Sequence, residues 1–417
     1  MCGICGIASE KLCSLDNLHK MNNLLIHRGP DDEGYFIDGE FSMAMRRLSI
    51  IDPATGQQPI STPDGRYTIV LNGEIYNYKE LKRTFLKEYH FKTTSDTEVL
   101  LYMFEKFGDS CLLHLDGMFA FCIFDKNSKE FFIARDRTGI KPLNYYYNNG
   151  NFLFSSEIKS FSKIKGIDLS FNLKYLNDYF SFGFIPSPYT FFKHIKKLEP
   201  GHFLRISKNK FFIQKYWEIS IDSEQAVDIN YQEAKENLKS IITSTVNKEM
   251  VSDVSIGAFL SGGLDSSIIT YEMSKSTKSK INTYTITFEK SRNDHDKFFS
   301  RYISQKLGTN HTESKLDLMN TDINGIISRL DEPFAITSLI PVYHNSLIAS
   351  KSVKVVLSGD GADEVFGGYS RHGKLKFLLA LKNSKTLKKE FIDILNNKVS
   401  SNIPYRKLRK GFSQYIV

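Results

Sequence analysis

The fold of this chain can be predicted outward from seven residues, Ser261-Gly262-Gly263-Leu264-Asp265-Ser266-Ser267. Residues 254–260 before them are mostly apolar and predict a buried strand, and residues 266–275 predict a helix. A glycine turn between a strand and a helix favours anion binding, because backbone N–H groups and the helix dipole both face it. The lysine and the spacing of the G-x-x-x-x-G-K-S/T nucleotide loop are missing. The alternative is an ordinary Gly-Ser turn of an α/β domain.

The S-G-G-x-D-S pattern of this turn resembles the loop of the ATP pyrophosphatase superfamily, whose members adenylate a carboxyl or carbonyl oxygen and release pyrophosphate. The resemblance implies that the chain uses ATP and that Asp265 helps to hold the Mg²⁺ ion bridging the phosphates, since carboxylate oxygens suit this ion. The residues that the resemblance implies for ATP binding are Leu260, Ser261, Gly262, Gly263, Asp265, Ser266, Ser267, Phe288, Ser358 and Gly359.

A second glycine-rich loop follows the strand predicted at residues 353–357. Its sequence, SGDGADEVFGGY at residues 358–369, resembles the second signature of asparagine synthetases. Its carboxylates alone would repel a phosphate, but with Mg²⁺ present they become partners of the metal and pyrophosphate, so Asp363 is expected to hold the metal beside Asp265. Asp360 is expected to take a proton from the attacking ammonia. The alternative is a surface turn without chemistry.

The strands predicted at residues 254–260, 283–288 and 353–357 alternate with helices. This alternation predicts an α/β doubly wound parallel sheet that binds its ligands at the carboxyl ends of the strands. The resemblance implies a sheet of the ATP-pyrophosphatase (adenine nucleotide alpha hydrolase-like) type.

The chain begins Met1-Cys2-Gly3-Ile4, so removal of Met1 would leave a cysteine with a free α-amine. An α-amine titrates near pH 8 and can act as a base for the adjacent thiol. One residue then supplies both nucleophile and proton acceptor. The alternative is an ordinary buried cysteine.

Four sequence blocks downstream favour the catalytic interpretation of Cys2. They are HRGPD at residues 27–31, RRLSIID at 46–52, NGEIYN at 72–77 and SDTE at 95–98. In this order they resemble the class II (N-terminal nucleophile, Ntn) glutamine amidotransferase domain. The resemblance covers residues 2–195 and implies an α+β fold, the αββα sandwich, which fits the apolar strands predicted between residues 119 and 155.

The amidotransferase resemblance implies a role for each block. The Asn72 amide and the Gly73 N–H would form the oxyanion hole for the glutamine amide carbonyl. Arg47 would bind the α-carboxylate of glutamine in a bidentate pair. Glu74 and Asp96 would take its α-ammonium group. The alternatives are a surface charge for Arg47 and a helix N-terminal residue for Asp96.

The chain is therefore expected to contain a glutaminase domain at residues 2–195, a connector at 196–230 and a synthetase domain at 231–417. Two departures from the family pattern affect the synthetase half. Ile336 stands where family members commonly carry an acidic residue, which leaves the acceptor substrate open. The later E-x-R-x-P-F-L-D block is missing before Val417, so the chain is either a fragment or lacks part of this domain.

Composition excludes several classes of protein. The chain of 417 residues is 41% hydrophobic and 24% charged, which is typical of globular proteins with two or three domains. Five cysteines without paired spacing predict no disulfide framework and a reducing cytoplasm. Glu10 and Lys11 break the apolar start, so we expect no signal peptide, and no run is long enough to span a bilayer.

The net charge of +8 is concentrated at the C-terminus, because residues 374–417 carry eleven basic and two acidic side chains. This tail is predicted to be a solvated helical segment whose aromatic residues do not alternate with basic ones as in a stacking platform. We therefore expect no nucleic-acid binding.

Both halves together resemble glutamine-dependent asparagine synthetases. The expected substrates are glutamine, ATP and aspartate or another carboxylate acceptor, and a homodimer is typical of bacterial members. Two alternatives stay open. One is a family amidotransferase that acts on a sugar acid in surface-polysaccharide synthesis. The other is a shortened protein that retains only glutaminase activity or only binding.

Overall fold

The computed structural model describes residues 1–208, 210–220, 229–288, 295–319 and 321–375. They form three β-sheets, two antiparallel and one parallel, with helices packed on them. Most of the predicted connector after residue 220 and nearly all of the basic tail lie outside the described residues.

The first two sheets each contain six antiparallel strands. Sheet one has the order β10 (Ile195–Lys197), β8 (Asn144–Asn148), β9 (Asn151–Ser155), β1 (Gly3–Ala8), β3 (Phe41–Arg47) and β2 (Asp32–Asp38). Sheet two has the order β12 (Lys210–Lys215), β11 (His202–Ser207), β7 (Glu130–Arg135), β6 (Gly117–Asp125), β5 (Tyr67–Ile75) and β4 (Ile60–Ser61).

Period-two side-chain alternation places these sheets face to face with helices outside them. In β1, Ile4 points into a core shared with Val70 of sheet two, whereas Ile7 points outward to the helix carrying Leu18. Both faces are covered, which explains why every residue of β1 is buried. The layers are helix, sheet, sheet and helix, so the predicted αββα sandwich is confirmed.

Three α-helices cover the outer faces of the sandwich: α1 (Leu15–Asn23), α2 (Tyr78–Phe85) and α3 (Asp96–Phe107). Ser14 and Ser95 cap the first and third, each accepting a hydrogen bond from a backbone N–H of the first turn. A fourth helix, α4 (Leu176–Phe182), and short 3-10 helices at Gly108–Leu113, Ile158–Lys163 and Leu173–Tyr175 complete this half.

The end of the first unit differs from the sequence-based expectation. The interval 196–230 was expected to be a connector, yet β11 and β12 extend sheet two and most of β10 lies within that interval. These strands are short, and their partners are distant in sequence for two of them: β10 pairs with β8, β11 pairs with β7, and β12 pairs with β11. The connector can begin only after β12.

The third sheet is parallel, in the order β15 (Asn310–Leu316), β14 (Asn282–Phe288), β13 (Ile256–Phe259) and β16 (Val355–Leu357). Its helices are α5 (Tyr231–Glu249), α6 (Leu264–Ser276), α7 (His295–Leu307), α8 (Ile323–Ser328), α9 (Leu339–Ala349) and α10 (Ala362–Phe366).

Helices lie on both faces of this sheet, which confirms the predicted doubly wound α/β fold. Val246 of α5 and Met273 of α6 share a core with Ala258 on one face, and Ala349 of α9 packs with Tyr284 on the other. The chain leaves β13 toward β14 on one side and returns to β16 on the other. The carboxyl ends of β13 and β16 therefore flank the topological switch point, where such sheets bind ligands.

None of the helices in the described parts of the chain is long and apolar enough to cross a membrane. All five cysteines are free thiols.

Asp136 stabilises the turn that follows β7. This carboxylate is 1% exposed and accepts hydrogen bonds from the N–H groups of Phe119, Thr138, Ile140 and Lys141 at 2.9–3.3 Å. Replacing Asp136 with alanine is expected to lower the free energy of unfolding by about 3 kcal/mol, because several buried donors lose their acceptor. Urea-induced unfolding measures the change.

The control for this prediction is Asp168→Ala. The exposed Asp168 accepts a backbone hydrogen bond from Ser170 and pairs with His194. We expect a much smaller loss of stability there. Equal losses in the two variants would contradict the structural role assigned to Asp136.

Candidate active sites

Cys2 lies at the start of β1, beside the loop that follows β3. Its thiol donates weakly to the Leu48 carbonyl oxygen at 3.7 Å and receives the Leu48 N–H at 3.4 Å, while Arg28 Nε donates to the Cys2 carbonyl at 2.8 Å. Burial raises the pKa of the Cys2 thiol, and the Leu48 N–H opposes this rise only in part. The thiol therefore needs a base to become a nucleophile at neutral pH.

An α-amine lies next to this thiol. In the full chain Met1 carries it, and burial lowers the pKa of this amine to about 6. The amine is then largely neutral at pH 7 and able to accept a proton, unlike an ordinary solvated α-amine. The local environment suits an N-terminal base paired with Cys2.

Asn72 and Gly73 lie near the end of β5. The Asn72 side chain is fully buried, and neither its amide oxygen nor its amide nitrogen has a hydrogen-bond partner among the described residues. Such buried unpaired groups are rare and point to a ligand. A Cβ at Gly73 would lie 2.2 Å from the Met118 carbonyl oxygen, so only glycine fits. The oxyanion-hole role of both residues stays a prediction, which the unpaired Asn72 amide supports.

Arg47 ends β3 and is only 4% exposed. Its Nη2 donates to the carbonyl oxygens of Ile51 and Asp52 at 3.0 and 2.7 Å. Its Nη1 has no hydrogen-bond partner within the described parts of the chain. A surface charge is thereby excluded, and a buried guanidinium with one free edge suits a carboxylate ligand.

Glu74 and Asp96 form a buried acidic pair near Arg47. Burial raises the pKa of Glu74 well above its usual value, and the charge of Asp96 raises it further. Burial likewise raises the pKa of Asp96, although its carboxylate accepts a hydrogen bond from the Ile75 N–H at 2.9 Å. Asp96 also begins α3, so its helix N-terminal position is confirmed, while its role in binding the α-ammonium group stays a prediction. A cationic group between these carboxylates would relieve their repulsion.

Two residues of this site were not predicted as functional from sequence. The buried Lys141, which follows the Asp136 turn, electrostatically favours the ionised forms of Cys2 and Glu74. Arg28 pairs with Glu157 at 2.9 Å while it bonds Cys2. No local signal in the sequence shows that the charge of Lys141 acts on Cys2.

The kcat/KM for glutamine hydrolysis is expected to decrease as the pH is lowered below neutrality. Because the pKa values of Glu74 and Asp96 are raised, the pair takes up a proton as pH falls, at a higher pH than ordinary carboxyls do. Binding of the substrate's α-ammonium is then lost, so kcat/KM for glutamine drops. The check is a pH profile of glutamate release.

The variant Asp96→Asn separates this effect from protonation of the α-amine. It removes one charge of the acidic pair, so the acid limb is expected to move to lower pH in addition to any loss of affinity. An acid limb that stays in place would assign the titration to the amine instead.

A second candidate site lies at the carboxyl ends of β13, β14 and β16. It is a cavity with a volume of about 410 Å³. The predicted residues that line it are Leu260, Ser261, Gly263, Asp265, Ser266, Phe288, Ser358, Gly359, Asp360 and Asp363. The strand–turn–helix geometry predicted for residues 254–275 is present, and the two glycine-rich loops share this one cavity.

Hydroxyl groups and close packing hold the first loop in shape. Ser266 Oγ receives the Ser261 N–H at 3.2 Å, and the two hydroxyls are 2.9 Å apart. A Cβ on Gly359 of the second loop would lie 2.7 Å from the Ser266 nitrogen, so glycine is required where the loops meet. Gly263 caps α6, leaving the N-terminal N–H groups of that helix directed toward the cavity.

Gly262 and Ser267 are not among the lining residues. Gly262 has a φ of +84°, and a Cβ there would lie 2.7 Å from the Ser300 nitrogen of α7. The Ser267 hydroxyl donates to the Gly263 carbonyl oxygen at 2.7 Å. Both residues shape the loop, and their role in ATP binding stays a prediction. Ile336 also lies outside the lining and is 39% exposed.

The donor set of this cavity fits a magnesium ion held with a phosphate. Asp265, Asp360 and Asp363 all line it, and Mg²⁺ is commonly held by one or two carboxylates together with substrate phosphates. Among the described residues, no group of three or more His, Cys, Asp or Glu side chains is arranged to hold a metal ion. Asp296 and Asn345 also line the cavity and were not predicted.

The sequence matches two families. Residues 1–217 match the glutamine amidotransferase domain, and residues 237–411 match asparagine synthase. A putative asparagine synthetase (glutamine-hydrolyzing) 2 of Methanocaldococcus jannaschii is 38% identical over 89% of this chain and 76% of its own length. Asparagine synthetase (glutamine-hydrolyzing) 1 of Bacillus subtilis is 37% identical over 89% of this chain but only 59% of its own length.

Solved structures give a weaker likeness. The glutamine phosphoribosylpyrophosphate amidotransferase of B. subtilis is 14% identical, with a TM-score of 0.42, over 76% of this chain and 91% of that one. Of the two relatives found by sequence, this chain spans 76% of the length of the archaeal protein and 59% of the length of the Bacillus protein.

Proposed function

This chain belongs to the glutamine-hydrolysing asparagine synthetase family, and we propose that it transfers ammonia from glutamine to an aspartate carboxylate that it first activates with ATP. The observation that supports this proposal best is the presence of both sites in one chain. One contains Cys2 together with the Asn72 amide and Arg47 Nη1, which have no hydrogen-bond partner among the described residues, and the other is a cavity that combines a glycine-rich turn with acidic residues.

In the proposed first reaction, Met1 is removed and the α-amine of Cys2 accepts the proton of its own thiol. The thiolate attacks the amide carbon of glutamine, and Asn72 with the Gly73 N–H stabilises the negative charge on the oxygen. Arg47 holds the substrate carboxylate while Glu74 and Asp96 hold its ammonium group. Ammonia leaves, and water then hydrolyses the thioester to glutamate and regenerates Cys2.

In the proposed second reaction, the turn at Ser261–Ser267 and the start of α6 bind the phosphates of ATP. The acceptor carboxylate attacks the α-phosphorus, and pyrophosphate leaves. A magnesium ion, when bound by Asp265 and Asp363, would supply positive charge to the phosphates. Ammonia then attacks the acyl adenylate and AMP leaves, and in this proposal Asp360 accepts a proton from the nitrogen.

The proposal is tested by measuring glutamate and pyrophosphate in parallel, with MgATP, glutamine and aspartate. Release of both products, with pyrophosphate dependent on aspartate, would support an asparagine synthetase. Glutamate without aspartate-dependent pyrophosphate would reject it for this chain, leaving another carboxylate acceptor or an isolated glutaminase. Absence of both products would indicate a protein that only binds its ligands.

A further inference from the structure

The five residues after Arg47, Leu48–Asp52, form a loop that contacts the catalytic groups of the first site. The Leu48 N–H donates to the Cys2 sulfur at 3.4 Å. Arg47 Nη2 donates to the carbonyl oxygens of Ile51 and Asp52. The shape of this loop, which we term the 48–52 loop, therefore fixes where the thiol and the guanidinium lie.

Asp253 of the synthetase half holds the far side of the 48–52 loop by two hydrogen bonds to the loop backbone. Its carboxylate accepts the Asp52 N–H at 2.8 Å, and its own N–H donates to the Ile50 carbonyl oxygen at 3.1 Å. Asp52 has a φ of +50°, a left-handed conformation uncommon for a residue with a side chain. The surrounding bonds are needed to keep it there.

A second contact from the synthetase half reaches the same loop through Asp31. One oxygen of the Asp31 carboxylate accepts the Ser49 N–H at 2.9 Å and pairs with Lys354 Nζ at 2.5 Å. Burial alone would raise the pKa of Asp31, but the Lys354 ammonium and the Ser49 N–H together lower it. Asp31 thus stays ionised and joins the loop to Lys354.

Asp253 and Lys354 precede two neighbouring parallel strands. Asp253 lies three residues before β13, and Lys354 lies directly before β16, where Ile256 pairs with Val355. The opposite ends of the same two strands lead into the loops that line the second candidate site, the cavity proposed to bind ATP, which we term the nucleotide cavity. One strand pair therefore contacts the 48–52 loop at its amino ends and carries the nucleotide loops at its carboxyl ends.

We infer that Asp253 is a positioning residue for glutamine hydrolysis: through the 48–52 loop, the synthetase half holds the groups that bind and attack glutamine. This inference rests on the proposed function and adds a route by which the two sites affect each other. Any shift of β13 and β16 on nucleotide binding would move Asp253 and Lys354, and with them the 48–52 loop. By linkage, any such effect on glutamine affinity is matched by an equal effect of glutamine on nucleotide affinity.

The test compares Asp253→Ala and Asp253→Asn in the full chain. Alanine removes the acceptor of the Asp52 N–H, and KM for glutamine in glutamate release is expected to rise about 10-fold. Asparagine retains a carbonyl oxygen at the same place, so it is expected to restore KM to within about threefold. Ammonia-dependent pyrophosphate release is measured on the same samples as a check of the synthetase site.

Lys248→Ala is the matched control. It removes another ion pair between the halves, Lys248 to Asp116 at 2.7 Å, which does not contact the 48–52 loop. Its KM for glutamine is expected to equal that of the parent. A parent chain that releases no glutamate would refute the proposed function itself.

With an active parent, three results would overturn the inference. The first is an unchanged KM in Asp253→Ala, and the second is an equal rise in Lys248→Ala. The third is a matching loss of ammonia-dependent pyrophosphate release, which would indicate general damage to the fold.

Discussion

Replacing Cys2 with alanine is expected to lower glutamate release from glutamine by about 10⁴-fold or more. The variant keeps the α-amine, Asn72, Gly73 and Arg47 but has no sulfur to attack the amide carbon. Cys5, Cys111 and Cys122 cannot substitute, because all three are fully buried in apolar clusters. Coupled detection of glutamate measures the loss.

The same variant is expected to retain pyrophosphate release when ammonia replaces glutamine. Ammonia added from solution bypasses Cys2, and the nucleotide cavity lies in the other half of the chain. Mass spectrometry of the parent adds an independent check, since the proposed mechanism requires a chain that lacks Met1. A parent that retains Met1 yet hydrolyses glutamine at full rate would contradict the role given to the α-amine.

Replacing Asp265 with alanine is expected to lower pyrophosphate release by about 100-fold or more, with either glutamine or ammonia as nitrogen source. Asp265 is in the first turn of α6, beside the turn that would bind the phosphates. Without its carboxylate, a metal bound to the phosphates loses a protein ligand, while Asp360 and Asp363 remain. Pyrophosphate is measured at saturating ATP and at several magnesium concentrations.

Glutamate release should persist in Asp265→Ala, which gives the reverse of the Cys2→Ala result. Ser274→Ala is the matched control on the same helix, because the Ser274 hydroxyl donates to the Tyr271 carbonyl oxygen and does not line the cavity. Its pyrophosphate release is expected to fall far less. Equal losses in the two variants would indicate that the turn has collapsed and would remove support for a metal-binding role of Asp265.

Much of the architecture was predictable because its signals are local. The β13–turn–α6 unit follows from an apolar run, two glycines and a helical segment, each within a few residues. The sandwich was predictable from the motif order in the first half. The end of that half was not predictable, because β11 and β12 are short strands whose place in the sheet depends on the pairing of β11 with the distant β7.

For the site residues, too, the sequence indicated some properties and only the tertiary structure revealed others. Cys2, Asn72, Arg47, Glu74 and Asp96 stand in motifs of the family, so their types and order indicated a glutamine site. Sequence could not show that Asn72 and Arg47 carry buried polar atoms with no hydrogen-bond partner in the described part of the chain, since burial depends on strands far apart in the chain. Lys141 was missed for the same reason.

The sequence by itself determined which chemical groups this protein possesses and the local turns that present them, because glycine conformation, strand alternation and helix starts depend on neighbouring residues. Only the tertiary structure decided which groups meet. The approach of Gly359 to Ser266 and of Asp253 to Asp52 joins residues 93 and 201 positions apart. Such contacts depend on how sheets and helices pack across the whole chain, and the sequence pattern near either partner contains no signal of the other.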